Sequence, residues 1–158
     1  MAYTPPPNPA PMNQAIEGAL IIDIESVPKV RFFKDLDERG QQLFIHKYEK
    51  EIAEMVGSRV DNTEIMWMRK AALHAEFNKI VCVSMGKIRR IESGEVIYVK
   101  ALTGDELVIL KALAEKLGRD DVVFLVAHNG FGFDYPMLSR KFMMHGLPIP
   151  SIIQTMDG

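Results

Sequence analysis

Apolar and polar positions recur with two different periods along this chain, and the switches between them mark its elements. Ala19 to Ile24 (ALIIDI) is a short, β-branched apolar run that reads as a buried strand, closed off by Pro28. A stretch of mostly helical pattern follows. Leu43, Phe44, Tyr48, Ile52 and Met55 recur at helical spacing on a charged background, which predicts an amphipathic helix ending near Gly57. Asp61 or Asn62 is placed to cap a second helix carrying Ile65, Met66, Met68 and Ala72. Lys79 to Ile88 and Glu95 to Leu102 read as two strands joined by a turn around Glu92-Ser93-Gly94, a connection short enough to predict antiparallel pairing. Thr103 is the expected cap of a helix with Asp105 and Glu106 in its first turn, a face of Leu107, Leu110, Ala114 and Leu117, and a stop at Gly118. Val122 to Ala127 (VVFLVA) is the strongest buried-strand signal. Asp134 and Pro136 open a last helix running to about His145 and stopping at Gly146.

The order is therefore strand, helical stretch, strand, strand, helix, strand, helix. A hairpin combined with a strand–helix–strand crossover predicts a mixed α/β sheet covered by helices. A length of 158 residues suits one domain with one packed core. Five of the nine prolines fall in the first eleven residues, so residues 1–17 are expected to form an extended, disordered leader. No apolar stretch approaches the roughly 18 residues a membrane span needs, and no membrane association is expected. The single cysteine, Cys82, sits in an apolar run and is expected to be a small buried residue; this usage fits a reducing, cytoplasmic setting. The formal net charge of −2 rules out a global basic field for gripping long duplexes, but an enzyme holding only a strand end needs just a few local cations.

Candidate chemistry gathers at the carboxyl ends of two predicted strands, the edge where open α/β sheets bind ligands. In Asp23-Ile24-Glu25, strand alternation sends both carboxylates to one side, where their repulsion is relieved by a cation between them. Hard divalent ions prefer such oxygen ligands. Taken alone, the pair equally describes two solvated acids at a strand end. The second place is His128-Asn129-Gly130-Phe131-Gly132-Phe133-Asp134, a strand-to-helix junction whose glycines permit a sharp turn. Here too a plain alternative stands beside each residue: Asp134 as a helix cap, Asn129 as a turn former, His128 as a structural histidine, Phe133 as core.

Together, D-x-E ending the first strand and N-x-x-x-F-D about a hundred residues on (Asp23, Glu25, then Asn129, Phe133 and Asp134) resemble the first two motifs of the DEDD (DnaQ-like) 3′–5′ exonucleases. The helical stretch and the segment Lys70 to Gly86 look like the predicted exonucleases related to the proofreading domain of family B DNA polymerases. The resemblance covers residues 18 to 150. It implies an RNase H-like mixed five-stranded sheet of order 3-2-1-4-5 flanked by helices, formed by residues 18–158 with a helical insert at 29–78. It also implies two divalent cations, Mg²⁺ or Mn²⁺, held by Asp23, Glu25 and Asp134. The substrate it implies is the 3′ end of single-stranded DNA or RNA, with Asn129 and Phe133 holding the terminal nucleotide. Arg89, Arg90, Arg140 and Lys141 are candidate phosphate contacts.

One departure matters. The family's third motif, Y-x-x-x-D or H-x-x-x-x-D on a later helix, has no counterpart: Tyr135 is followed at +4 by Ser139, and His145 at +5 by Pro150. Asp157 lies on a short tail and is not assigned the role. The expectation is a fragment of a longer protein, cut before the last strand and helix, with weak metal binding and little or no turnover. The alternative is a non-catalytic nucleic-acid-binding or scaffold module with the same fold.

Overall fold

The computed structural model describes residues 16–55 and 61–154. Most of the expected leader, Gly57 and Asp157 lie outside them. Glu17, the end of that leader, belongs to the fold: its carboxylate accepts from the Arg90 N–H at 3.1 Å.

Four strands form one sheet in the order β3-β2-β1-β4, with β1 Ala19–Pro28, β2 Asn78–Ile91, β3 Gly94–Thr103 and β4 Phe124–Val126. The helices are α1 Glu38–Glu54, α2 Asn62–Lys70, α3 Glu106–Leu117, α4 Tyr135–Met144 and the short α5 Ser151–Gln154. β1 and β2, and β2 and β3, pair antiparallel, while β1 and β4 run parallel. This mixed sheet reproduces the first four positions of the expected order; among the described residues there is no fifth strand.

Several elements differ in extent. β1 continues four residues past Ile24, because Ser26, Val27 and Pro28 pair with Ile80, Lys79 and Asn78 beyond a bulge. β4 has three residues rather than six: only Phe124, Leu125 and Val126 pair, with Ala19, Leu20 and Ile21. The hairpin strands are longer than expected, and Gly94, at φ +136°, takes the left-handed backbone that its turn requires.

Burial explains which faces pack. Leu20, Ile22 and Ile24 of β1 and Val83 and Met85 of β2 point to one side of the sheet, where they meet Ile109, Leu110, Leu113 and Leu117 of α3 and Leu138 and Phe142 of α4. The α3 stripe is thus turned toward Ile109 and Leu113, leaving Leu107 and Ala114 half-buried. Asp105, not Thr103, caps α3, accepting from the Leu107 and Val108 N–H groups, since Thr103 is still paired in β3. Asp61 caps α2.

A second cluster holds the helical stretch together. Phe44 is fully buried with Phe33, Tyr48, Trp67 and Phe77 around it, at ring-centroid distances of 4.9–5.6 Å. Trp67, rather than the 70% exposed Met68, anchors α2, and Leu43 of α1 faces outward. Ser26 Oγ and Asn78 Nδ2 both donate to the Ala72 carbonyl at 2.7 Å, which fixes this stretch against the carboxyl end of β1.

One polar lock ties the layers. Lys141 of α4 is 1% exposed and donates to the Asn78 carbonyl at 2.6 Å and to Glu106 Oε1 at 3.0 Å. The Glu106 carboxylate also accepts from the Ile80 N–H at 2.6 Å and meets His145 Nε2 at 2.8 Å. Lys141 is therefore enclosed by protein, against the expectation that it contacts phosphate. Burial pushes the Glu106 carboxyl up, but hydrogen bonds from His145, Ile80 and Lys141 outweigh it and leave it below its ordinary value of 4.5. Glu106→Ala leaves a buried ammonium unpaired and is expected to cost about 3–5 kcal/mol in denaturant unfolding. In the wild type, the contribution of Glu106 is present above about pH 4.5 and is lost as pH falls through its depressed value, so the stability gap between the two proteins narrows in acid.

Candidate functional site

Because β1 and β4 are parallel and β4 ends level with Ile21, the loop that leaves β4 runs beside residues 22–24 of β1. Asp23 and Glu25 alternate with buried Ile22 and Ile24, so both project from the opposite, open face of the sheet and are exposed. Their cross-strand partners on that face are Ser84 and Cys82. Cys82 is half-buried rather than buried, and its thiol lies 3.8 Å from Ser84 Oγ. The β1–β2 bulge falls directly after Glu25, where an extra residue on β2 turns the strand.

The loop from β4 closes into a wide helical turn, Gly130–Asp134, before α4 begins. Close approach to the buried Tyr135 ring requires glycine at 130, whereas at 132 the near atom is the end of the exposed Asn129 side chain, which can move aside. A Cβ on Gly130 would lie 2.4 Å from the Tyr135 ring, and one on Gly132 would lie 2.5 Å from Asn129 Oδ1. Asn129 is exposed, its side chain folded over Gly132, and its carbonyl accepts from the Phe133 N–H at 2.8 Å. Phe133 is half-buried against the main core. The ring that stands out of this turn is Phe131, 71% exposed and edge-on to Tyr135 at 5.4 Å. A motif reading centred on Phe133 passes over Phe131; its place between two glycines is the signal that marks it.

Asp134 is only 4% exposed, and its side chain caps nothing: it already has helical backbone angles and makes no capping hydrogen bond. Burial raises its carboxyl above the ordinary value of 3.8, and the negative charge of Asp23 pushes the same way. Its own N–H, the Ile24 N–H and His128 pull in the opposite direction without cancelling this. Asp23 is thus near enough for its charge to act on Asp134, with Glu25 one alternation further along β1.

Carboxylate oxygens suit a hard divalent cation, which would relieve the repulsion between Asp23 and Asp134. Among the described residues no group of three or more His, Cys, Asp or Glu side chains is arranged to hold a metal ion. The donor chemistry fits; the ligand set is short. Ser139 is buried in α4, and His145 is engaged with Glu106.

Residues 70–158, more than half of the chain, match a family model described as a predicted 3′–5′ exonuclease related to the exonuclease domain of PolB. The matched segment includes Asn129, Phe133 and Asp134 and begins after β1, which carries Asp23 and Glu25. Neither a search of curated proteins nor one of solved structures found a match.

A carboxyl raised on folding favours the protonated folded state. Its contribution to stability is present below its ordinary value of 3.8 and is lost as pH rises through the raised value, so at neutral pH Asp134 is a net cost. Asp134→Asn is expected to raise the metal-free Tm at pH 7. Calorimetry with EDTA checks this; an unchanged or lowered Tm contradicts it.

Proposed function

Because the chain belongs to the family of predicted 3′–5′ exonucleases related to the exonuclease domain of PolB, we infer that it forms an RNase H-like, metal-dependent 3′–5′ exonuclease fold acting on single-stranded DNA or RNA. The observation that carries this reading is the buried Asp134 at the start of α4, near enough to β1 for the charge of Asp23 to help raise its carboxyl. Water and other electrolytes are largely kept from Asp134, so its charge is stable only beside a cation.

In this mechanism Asp23, Glu25 and Asp134 would hold the divalent cations. Mg²⁺ or Mn²⁺ bound there supplies an activated water and neutralises charge on the phosphate. Asn129 offers its exposed amide to the terminal nucleotide. Phe133 supports the turn from the core side, and Phe131 presents a ring on which a base can stack.

A second reading has its own support. With no three-ligand group among the described residues, the chain also suits a non-catalytic nucleic-acid-binding module.

The two separate on a 5′-labelled single-stranded oligonucleotide incubated with Mn²⁺, beside Asp23→Ala. Shortening from the 3′ end, lost in the variant, is the result the exonuclease reading expects. Binding without shortening, equal in both proteins and indifferent to Mn²⁺, is the result for the module.

A further inference from the structure

A concave site lies away from these carboxylates. Where α3 ends at Leu117, the β2–β3 hairpin extends beyond the helical layer, and the step between them is a cleft of about 380 Å³. It opens on the side of the sheet to which Leu20 and Met85 point, opposite to Asp23, and near the start of β1 rather than its end. Its floor is apolar, formed by Leu20, Met85 and Val122, and Tyr98, 62% exposed, stands on its hairpin wall.

The rim has the opposite character. Lys87, Arg89, Lys100, Lys116 and Arg119 line the cleft, with Asp121 as the single acid, in a chain whose net charge is −2. Asp121 meets Lys87 at 2.6 Å, Arg119 at 2.9 Å and Arg89 at 3.0 Å. One carboxylate neutralises one of these three cations, and it holds all three in fixed positions. Lys100 and Lys116 have no ion-pair partner among the described residues, so most of the positive charge is uncompensated. Lys116 also offsets the partial negative charge at the carboxyl end of α3.

We propose that this cleft binds a nucleotide unit, its base on the apolar floor beside Tyr98 and its phosphate among Lys100, Lys116 and Arg119. An isolated inorganic anion would use the rim and leave the floor wet; an apolar ligand would leave five cations without purpose. A pocket of this size suits a small ligand of mixed character. Aromatic stacking with local cations is how sequence-tolerant nucleic-acid sites work. The unit is either a free mononucleotide or one residue of a strand, and the site stands independently of the carboxylates on the other face.

The test uses the whole chain in EDTA, so that divalent-dependent binding at the carboxylates plays no part. Binding of adenosine 5′-monophosphate and of a labelled single-stranded oligonucleotide is measured by calorimetry and anisotropy. The protein is compared with Lys100→Glu/Lys116→Glu and with Lys50→Glu/Lys111→Glu, exposed lysines elsewhere that make the same charge change. The cleft variant is expected to bind at least tenfold more weakly than the control variant, with a salt dependence for the oligonucleotide shallower by about two ions. Mononucleotide binding identifies a nucleotide pocket; binding of the oligonucleotide alone identifies a strand track. Equal losses in both variants, no binding of either probe, or inorganic phosphate binding as well as the mononucleotide each overturn the proposal.

Discussion

Three parallel residue pairs between β1 and β4, Ala19 with Phe124, Leu20 with Leu125 and Ile21 with Val126, decide where every acid of the candidate site lies. They start the β4 loop two residues short of Asp23, so the turn that follows must pass beside the end of β1. Shifting that register by one residue would exchange the faces of the short strand and bury Val126 where Leu125 now packs. The pairing is short, and the loop depends on the apolar packing of Leu125 and α4 rather than on ladder hydrogen bonds to hold its place.

α4 is held from both ends. At its start, Gly130 lets the Tyr135 ring lie against backbone, which turns Asp134 inward. Further along, Lys141 reaches through the core to Glu106 and the Asn78 carbonyl, clamping α4 to α3 and β2. A buried pair of this kind adds little net stability over an apolar one, but it penalises other placements of the helix strongly. Rigid support of this sort suits a turn that must keep two acids near each other.

The apolar runs of β1 and β4 and the acids that end them were legible in the sequence, because strand burial and alternation are local properties. So were the hairpin, the Asp61 cap and the stop at Gly146. What stayed hidden depends on distant partners. Lys141 reads as a surface cation until Glu106, 35 positions earlier, is folded against it. Thr103 and Asp105 are equally good caps on paper, and only the pairing of Thr103 with Cys82 assigns the role to Asp105. Met68 and Trp67 compete for one helix face, and Phe44 settles it by packing on the indole. The basic cleft gathers residues from both hairpin strands and from around the end of α3, and no local pattern announces it. For the candidate site itself, the residue types and strand ends were readable, but the burial of Asp134 was not.

On the proposed reading, the charge of Asp23 helps hold the Asp134 carboxyl up, and a divalent cation bound there would relieve the repulsion. Carboxyl-carbon NMR titration of Asp134, with and without Mg²⁺ and in Asp23→Asn, tests it most directly. The account predicts a midpoint above the ordinary 3.8 in the metal-free protein, lowered both by Mg²⁺ and by removing the Asp23 charge. A midpoint at or below 3.8, or one that neither change moves, would contradict it.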